Sequence, residues 1–149
     1  MKSITLIFVI VIFSMTSFLF AEDVKKPISQ ADFLKVFIGT WVNMDYGDFF
    51  KPQKVVYSPD NRWEEYIFLT DDQPEHYGPY TIDEMWTDSK GDIWFKVSAK
   101  CIAPTHYGTP LTLGKISNAG KVLDSVWQYS RYPTEISAIE GAVSTYYRQ

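Results

Sequence analysis

From Gly39 to the C terminus the chain does not sustain the period of an amphipathic helix; it alternates in short runs separated by turn signals. The clearest run is Ile93 to Cys101. There Ile93, Phe95, Val97, Ala99 and Cys101 point one way, and Trp94, Lys96, Ser98 and Lys100 the other. The turns have matching chemistry. Pro59 and Asn61 in Ser58-Pro59-Asp60-Asn61, Gly91 in Asp88-Ser89-Lys90-Gly91, and Asn118-Ala119-Gly120 suit chain reversals. Strands are therefore expected over residues 39–46, 54–58, 62–70, 80–87, 93–101, 111–117, 121–130 and 142–149. Eight hairpin-linked strands leave two edges exposed unless the sheet closes. The expected fold is all-β, an eight-stranded up-and-down antiparallel barrel, with a β-sandwich as the competing arrangement.

The only helical signal near these strands precedes Gly39. Ser29 is placed to cap a short turn with Asp32 three residues on, while Phe33 and Phe37 share one side with Leu34 beside them. Gly39 then permits a tight bend, and Trp41 starts a strand whose Trp41, Asn43 and Asp45 oppose Val42, Met44 and Tyr46.

Upstream, residues 1–21 carry one lysine, a long apolar run and Ala21 before Glu22 and Asp23, the pattern of a cleaved secretory signal. Cleavage removes only Lys2 from the charge balance, taking the net charge from −4 to −5. Residues 22–28 read as a flexible tether and 29–149 as one barrel domain. An acidic chain without basic clusters argues against nucleic acid, and the mature chain is not expected to insert stably in a membrane. Cys101 is the sole cysteine, so an exported chain here forms no intrachain disulfide. That favours a bacterial periplasm or exterior. Its place in the alternation makes Cys101 a buried small hydrophobe.

Gly39-Thr40-Trp41 after a short helical turn, with Arg148 in the last strand, resembles the start and end of lipocalin-like, or calycin, barrels. That resemblance implies a guanidinium from Arg148 covering Trp41 across the closure of the sheet. The layout is closer to small bacterial lipocalin-like proteins than to large animal lipocalins, since it lacks their usual disulfide and a long helix after the barrel.

Motifs for catalysis are missing: the sequence has no Gly-x-Ser-x-Gly elbow, phosphate loop, His-Glu-x-x-His helix or Cys-x-x-Cys pair. No cofactor is expected. His76-Tyr77-Gly78 and His106-Tyr107-Gly108 echo each other, and with Asp71, Asp72 or Glu75 the two histidines would make a metal site if their loops met at one rim. Two exposed loop histidines are the simpler reading, and no metal is assigned. Alternation through residues 80–87 places Tyr80, Ile82, Glu84 and Trp86 on the inner face. An inward Glu84 needs a partner, and Arg62, Lys115 and tyrosine hydroxyls are the candidates. The expected ligand set is Tyr66, Phe68, Glu84, Trp86, Phe95 and Trp127, holding a small apolar or amphipathic molecule non-catalytically. The alternative is a protein-interaction or inhibitor module on a self-filled barrel, using the loops Asp71 to His76 and Arg131 to Glu140.

Overall fold

The computed structural model describes residues 24–44, 51–102 and 108–149. The expected leader, the expected strand residues Asp45 and Tyr46, and His106 therefore lie outside the described residues. The elements in chain order are β1 (Lys26–Pro27), α1 (Gln30–Phe37), β2 (Gly39–Val42), β3 (Lys54–Tyr57), β4 (Arg62–Tyr66), β5 (His76–Thr87), β6 (Ile93–Ala99), β7 (Leu111–Ser117), β8 (Val122–Gln128) and β9 (Ala142–Arg148). Each strand from β2 to β9 pairs antiparallel with the next, and β2 pairs with β9 through Trp41 opposite Arg148 and Val42 opposite Tyr147. The sheet is thus a closed eight-stranded up-and-down barrel. The 62–70 run stops pairing as a strand at Tyr66, while β5 starts earlier than expected, at His76.

Helix α1 plugs one end. Ser29 Oγ accepts from the Asp32 amide at 3.1 Å, which starts the helix at the expected cap. Phe33 and Phe37 then enter the barrel fully buried, with Phe37 centroids 4.2 Å from Tyr57 and 5.0 Å from Phe95. The last turn ends without loose carbonyls. Trp41 Nε1 donates to Phe37 O at 2.9 Å, and Arg148 donates to the carbonyls of Val36, Ile38 (2.8 Å) and Lys35 (3.4 Å). The Arg148 guanidinium carbon also lies 5.6 Å from the Trp41 ring centroid. Gly39 makes the corner at φ +141°, with the guanidinium against the place a side chain would occupy.

Phe95 fills the middle of the interior by lying over Gly114, its partner across β6 and β7; a Cβ there would come within 2.1 Å of the ring. Cys101, two residues beyond β6 and bridged to Gly108, is buried as expected.

A β-bulge breaks the alternation of β5. Ile82 faces Val97 and Glu84 faces Lys96, leaving Asp83 as the extra residue. Beyond it Met85 packs against the inner core opposite Phe95, while Trp86 pairs with Trp94 on the outer face. The expectation that Glu84 and Trp86 point inward is therefore corrected: counting by twos fails across an inserted residue.

Two further segments lie on the outside. The 22–28 tether is not idle in its described part, since Lys26 and Pro27 pair with Thr87 and Trp86. The connection from β8 to β9 returns along the outer face, where the Tyr132 hydroxyl donates to Asp83 and Pro133 is fully buried. This strap accounts for the burial of Leu113 and Val126 at outward positions of β7 and β8. Arg131 and Glu140 clamp its base with contacts of 2.9 and 3.1 Å.

Candidate functional site

Several aromatic rings wall each of two concave places, one inside the barrel and one outside, whereas a third, of about 580 Å³ along residues 67–75, has Phe68 as its one ring. The inner one lies at the end opposite α1, where β4 turns Trp63 and Glu65 inward and β5 begins with His76 opposite Glu65. His76 Nδ1 lies 3.2 Å from Glu65 Oε2, within hydrogen-bond reach. Tyr57 is partly buried, and burial of its hydroxyl, helped by the Glu65 charge, raises its pKa. Burial likewise raises that of Tyr129, with Cys101 and Glu65 adding to it. The indole N–H of Trp63 is buried without a hydrogen-bond partner among the described residues.

These groups, with Cys101 and Trp127, line a cavity of about 40 Å³. A buried water needs roughly 10–15 Å³, so this space suits a few waters rather than a lipid or a macrocycle. His76 is thus part of the interior and not an exposed loop histidine, which corrects that expectation. Among the described residues no three His, Cys, Asp or Glu side chains form a metal-holding group.

The outer cleft is about ten times larger, at about 400 Å³. Its construction begins with the hairpin after β5. Asp88 Oδ1 accepts from the amides of Lys90 and Asp92, both at 2.9 Å, and Oδ2 accepts from Trp94 Nε1 at 2.9 Å. Burial works to raise the Asp88 pKa, but these three donors outweigh it and hold the carboxyl below its usual value. The turn fixes Trp94 beside Trp86, their rings parallel within 10° and their centroids 6.2 Å apart. Lysines close the row at both sides, Lys25 Nζ at 4.0 Å from the Trp86 centroid and Lys115 Nζ at 5.7 Å from that of Trp94.

Across from the two tryptophans stand Tyr132 and Pro133 of the strap, with Lys96 and Leu113 also lining the space. The Tyr132 hydroxyl is pushed up to about 12, by burial first and then by its hydrogen bond to Asp83. Glu84 sits at the edge, joined to Lys96 at 2.6 Å and to Lys25 at 3.3 Å. The Lys96 contact is the main reason its carboxyl is held below the ordinary range.

The six residues expected to share a ligand are dispersed. Phe95 is core, Trp127 lines the small inner cavity, and Trp86 lines the outer cleft with Glu84 at its edge. Tyr66 is on the outer side of β4, under Lys54 at 3.7 Å, and Phe68 is exposed beyond that strand. The partners expected for Glu84 also differ: Lys25 and Lys96 hold it, whereas Arg62 pairs with Glu64 and Lys115 with Asp124. Sequence reasoning missed Trp63, Glu65 and His76 inside, and Lys25, Trp94, Lys96 and Tyr132 outside. A signal for Trp94 was present. Trp86 and Trp94 stand symmetrically about the Asp88 turn, and cross-strand partners share a face, so an outward Trp94 required an outward Trp86.

No protein-family model matches this chain, and no curated protein or solved structure matches it either.

Proposed function

We propose that the protein is an exported, lipocalin-like barrel that binds a small apolar or amphipathic molecule without changing it, and that the molecule occupies the outer cleft. The observation carrying this reading is the contrast of volumes. A cleft of about 400 Å³ walled by Trp86, Trp94, Tyr132 and Pro133 falls within the roughly 300–1,000 Å³ of small-molecule sites, and an interior of about 40 Å³ does not. Export rests on the leader, and the lipocalin-like assignment on the Gly39, Trp41 and Arg148 frame within a closed barrel. The non-catalytic reading rests on the motifs missing from the sequence.

Titration of tryptophan fluorescence with fatty acids, retinoids, haem and alkylbenzoates tests the reading. Saturable changes that disappear in Trp94→Ala and persist in Trp127→Phe are expected. Flat titrations throughout, or a response lost only with Trp127, would overturn it.

The interaction-module reading has one observation in its favour. Met44, Phe68, Leu69 and Ile102 are exposed in segments following β2, β4 and β6, at the barrel end opposite α1, and Ile139 in the strap is 93% exposed. A partner recovered from periplasmic extract and lost after charge substitutions at Met44 and Ile139 would favour it.

A further inference from the structure

The polar lining of the outer cleft is one-sided. Asp88 belongs to that lining, but its carboxylate already accepts three N–H bonds. The Tyr132 hydroxyl is committed to Asp83. Lys25 and Lys96 differ. Each ammonium carries three donors and gives one to Glu84, which leaves two on each without an acceptor among the described residues. The remaining wall offers the faces and edges of Trp86, Trp94 and Tyr132 with Leu113 and Pro133, and Thr134, whose side chain bonds to Glu140.

Glu84 itself is the informative partner. Its carboxylate bridges the two lysines from the edge of the space, and its side chain remains 42% exposed. It is a tethered anion at the mouth of an apolar cleft, able to swing away because water can solvate it. Lys25 has matching freedom, since its segment is held by the two-residue β1 and by a 3.4 Å bond from Thr87 Oγ1 to Lys26 O.

Building on the outer-cleft reading, we infer that the ligand is an amphipathic organic anion. Its carboxylate takes the place of Glu84 between Lys25 and Lys96, and its apolar body lies between the paired tryptophans and Tyr132. The cleft then matches donors to acceptors at one end and apolar surface at the other. A neutral molecule of the same shape offers the lysine donors no charged acceptor. Glu84 acts as a built-in competitor that keeps the two ammonium groups paired in the free protein.

The test compares 4-butylbenzoate with 4-butylbenzyl alcohol, which has the same body without the charge, by calorimetric titration of the full chain. The acid is expected to bind about tenfold tighter than the alcohol, the size of one charge-assisted hydrogen bond. Glu84→Gln should tighten the acid and leave the alcohol unchanged. Lys96→Met should bring the acid to the level of the alcohol, with the urea midpoint confirming that the variant is folded. Equal affinity for acid and alcohol, or an acid affinity indifferent to both substitutions, overturns the anion inference while leaving the cleft as the site. Binding of neither compound, or binding insensitive to Trp94→Ala, overturns the inference and the cleft reading together.

Discussion

Arg148 joins three structural tasks, and removing it should show how much of the barrel's stability rests on its closure. In Arg148→Met the carbonyls of Val36 and Ile38 lose a charged donor, the C-terminal end of α1 loses its cation, and Trp41 loses the guanidinium 5.6 Å from its centroid. Charge-assisted hydrogen bonds contribute about 1.5–3 kcal/mol each, a cation at a helix C terminus about 0.3–1, and a partly exposed cation–π contact about 0.5–1. Water reaching the freed carbonyls recovers part of this, and the contributions overlap because one group makes all of them. The expected cost is about 2–4 kcal/mol, a fall in Tm on the order of 10 °C for a domain of this size. Urea unfolding followed by tryptophan fluorescence, with m-values compared, measures it. Arg148→Lys retains the charge but not the fork that reaches several carbonyls, so it should recover less than half the loss. A methionine variant within 0.5 kcal/mol of the parent, or a lysine variant equal to it, refutes the argument.

Gly114→Ala puts a methyl group into the Phe95 ring, which is boxed in by Phe33 and Phe37, and should cost about 1–3 kcal/mol in urea unfolding. Asp88→Asn should change the pH dependence of stability. Because the folded Asp88 pKa is lowered, its contribution is complete above the ordinary carboxylate value and is lost as pH falls through the folded value. The difference in urea midpoint between parent and variant should therefore shrink from about pH 4 downward.

What was legible in the sequence follows from where local chemistry suffices. Ser29 and Asp32 start α1 through contacts within one turn, and Gly91 and Asn61 reverse the chain at positive φ, so these features need no tertiary information. The closure was readable too, because first and last strands of a meander meet only if the sheet closes, and Trp41 does lie opposite Arg148. The candidate site was less legible for a physical reason. Its walls come from three separate outer segments, the tether at Lys25, the Trp86 and Trp94 hairpin, and the strap at Tyr132, and no periodicity in one segment reports that another will cover it. Burial of Leu113 and Val126 likewise depends on the strap, not on the alternation of their own strands.

The bulge at Asp83 is the point where a correct local rule gave a wrong face. Two residues, Asp83 and Glu84, stand against Lys96, so the inward positions pass from Tyr80 and Ile82 to Met85 rather than to Glu84. Deleting Asp83 should therefore convert the bulge into plain pairing while keeping Ile82 and Met85 inside and Glu84 and Trp86 outside. The loss is the Tyr132 hydrogen bond to Asp83, a neutral donor on a charged acceptor at a partly exposed place, so the cost should stay near 1–2 kcal/mol. Deleting Thr81 is a different perturbation. It lies in regular pairing opposite Ser98, and its removal turns Ile82 outward and Asp83 inward even when the bulge is given up to keep Tyr80 and Met85 inside. That variant should fail to give a cooperative urea transition, whereas the Asp83 deletion should unfold cooperatively with a loosened strap, seen as faster proteolysis near Tyr132. If the two deletions prove equally damaging, the faces of β5 are fixed by something other than its register.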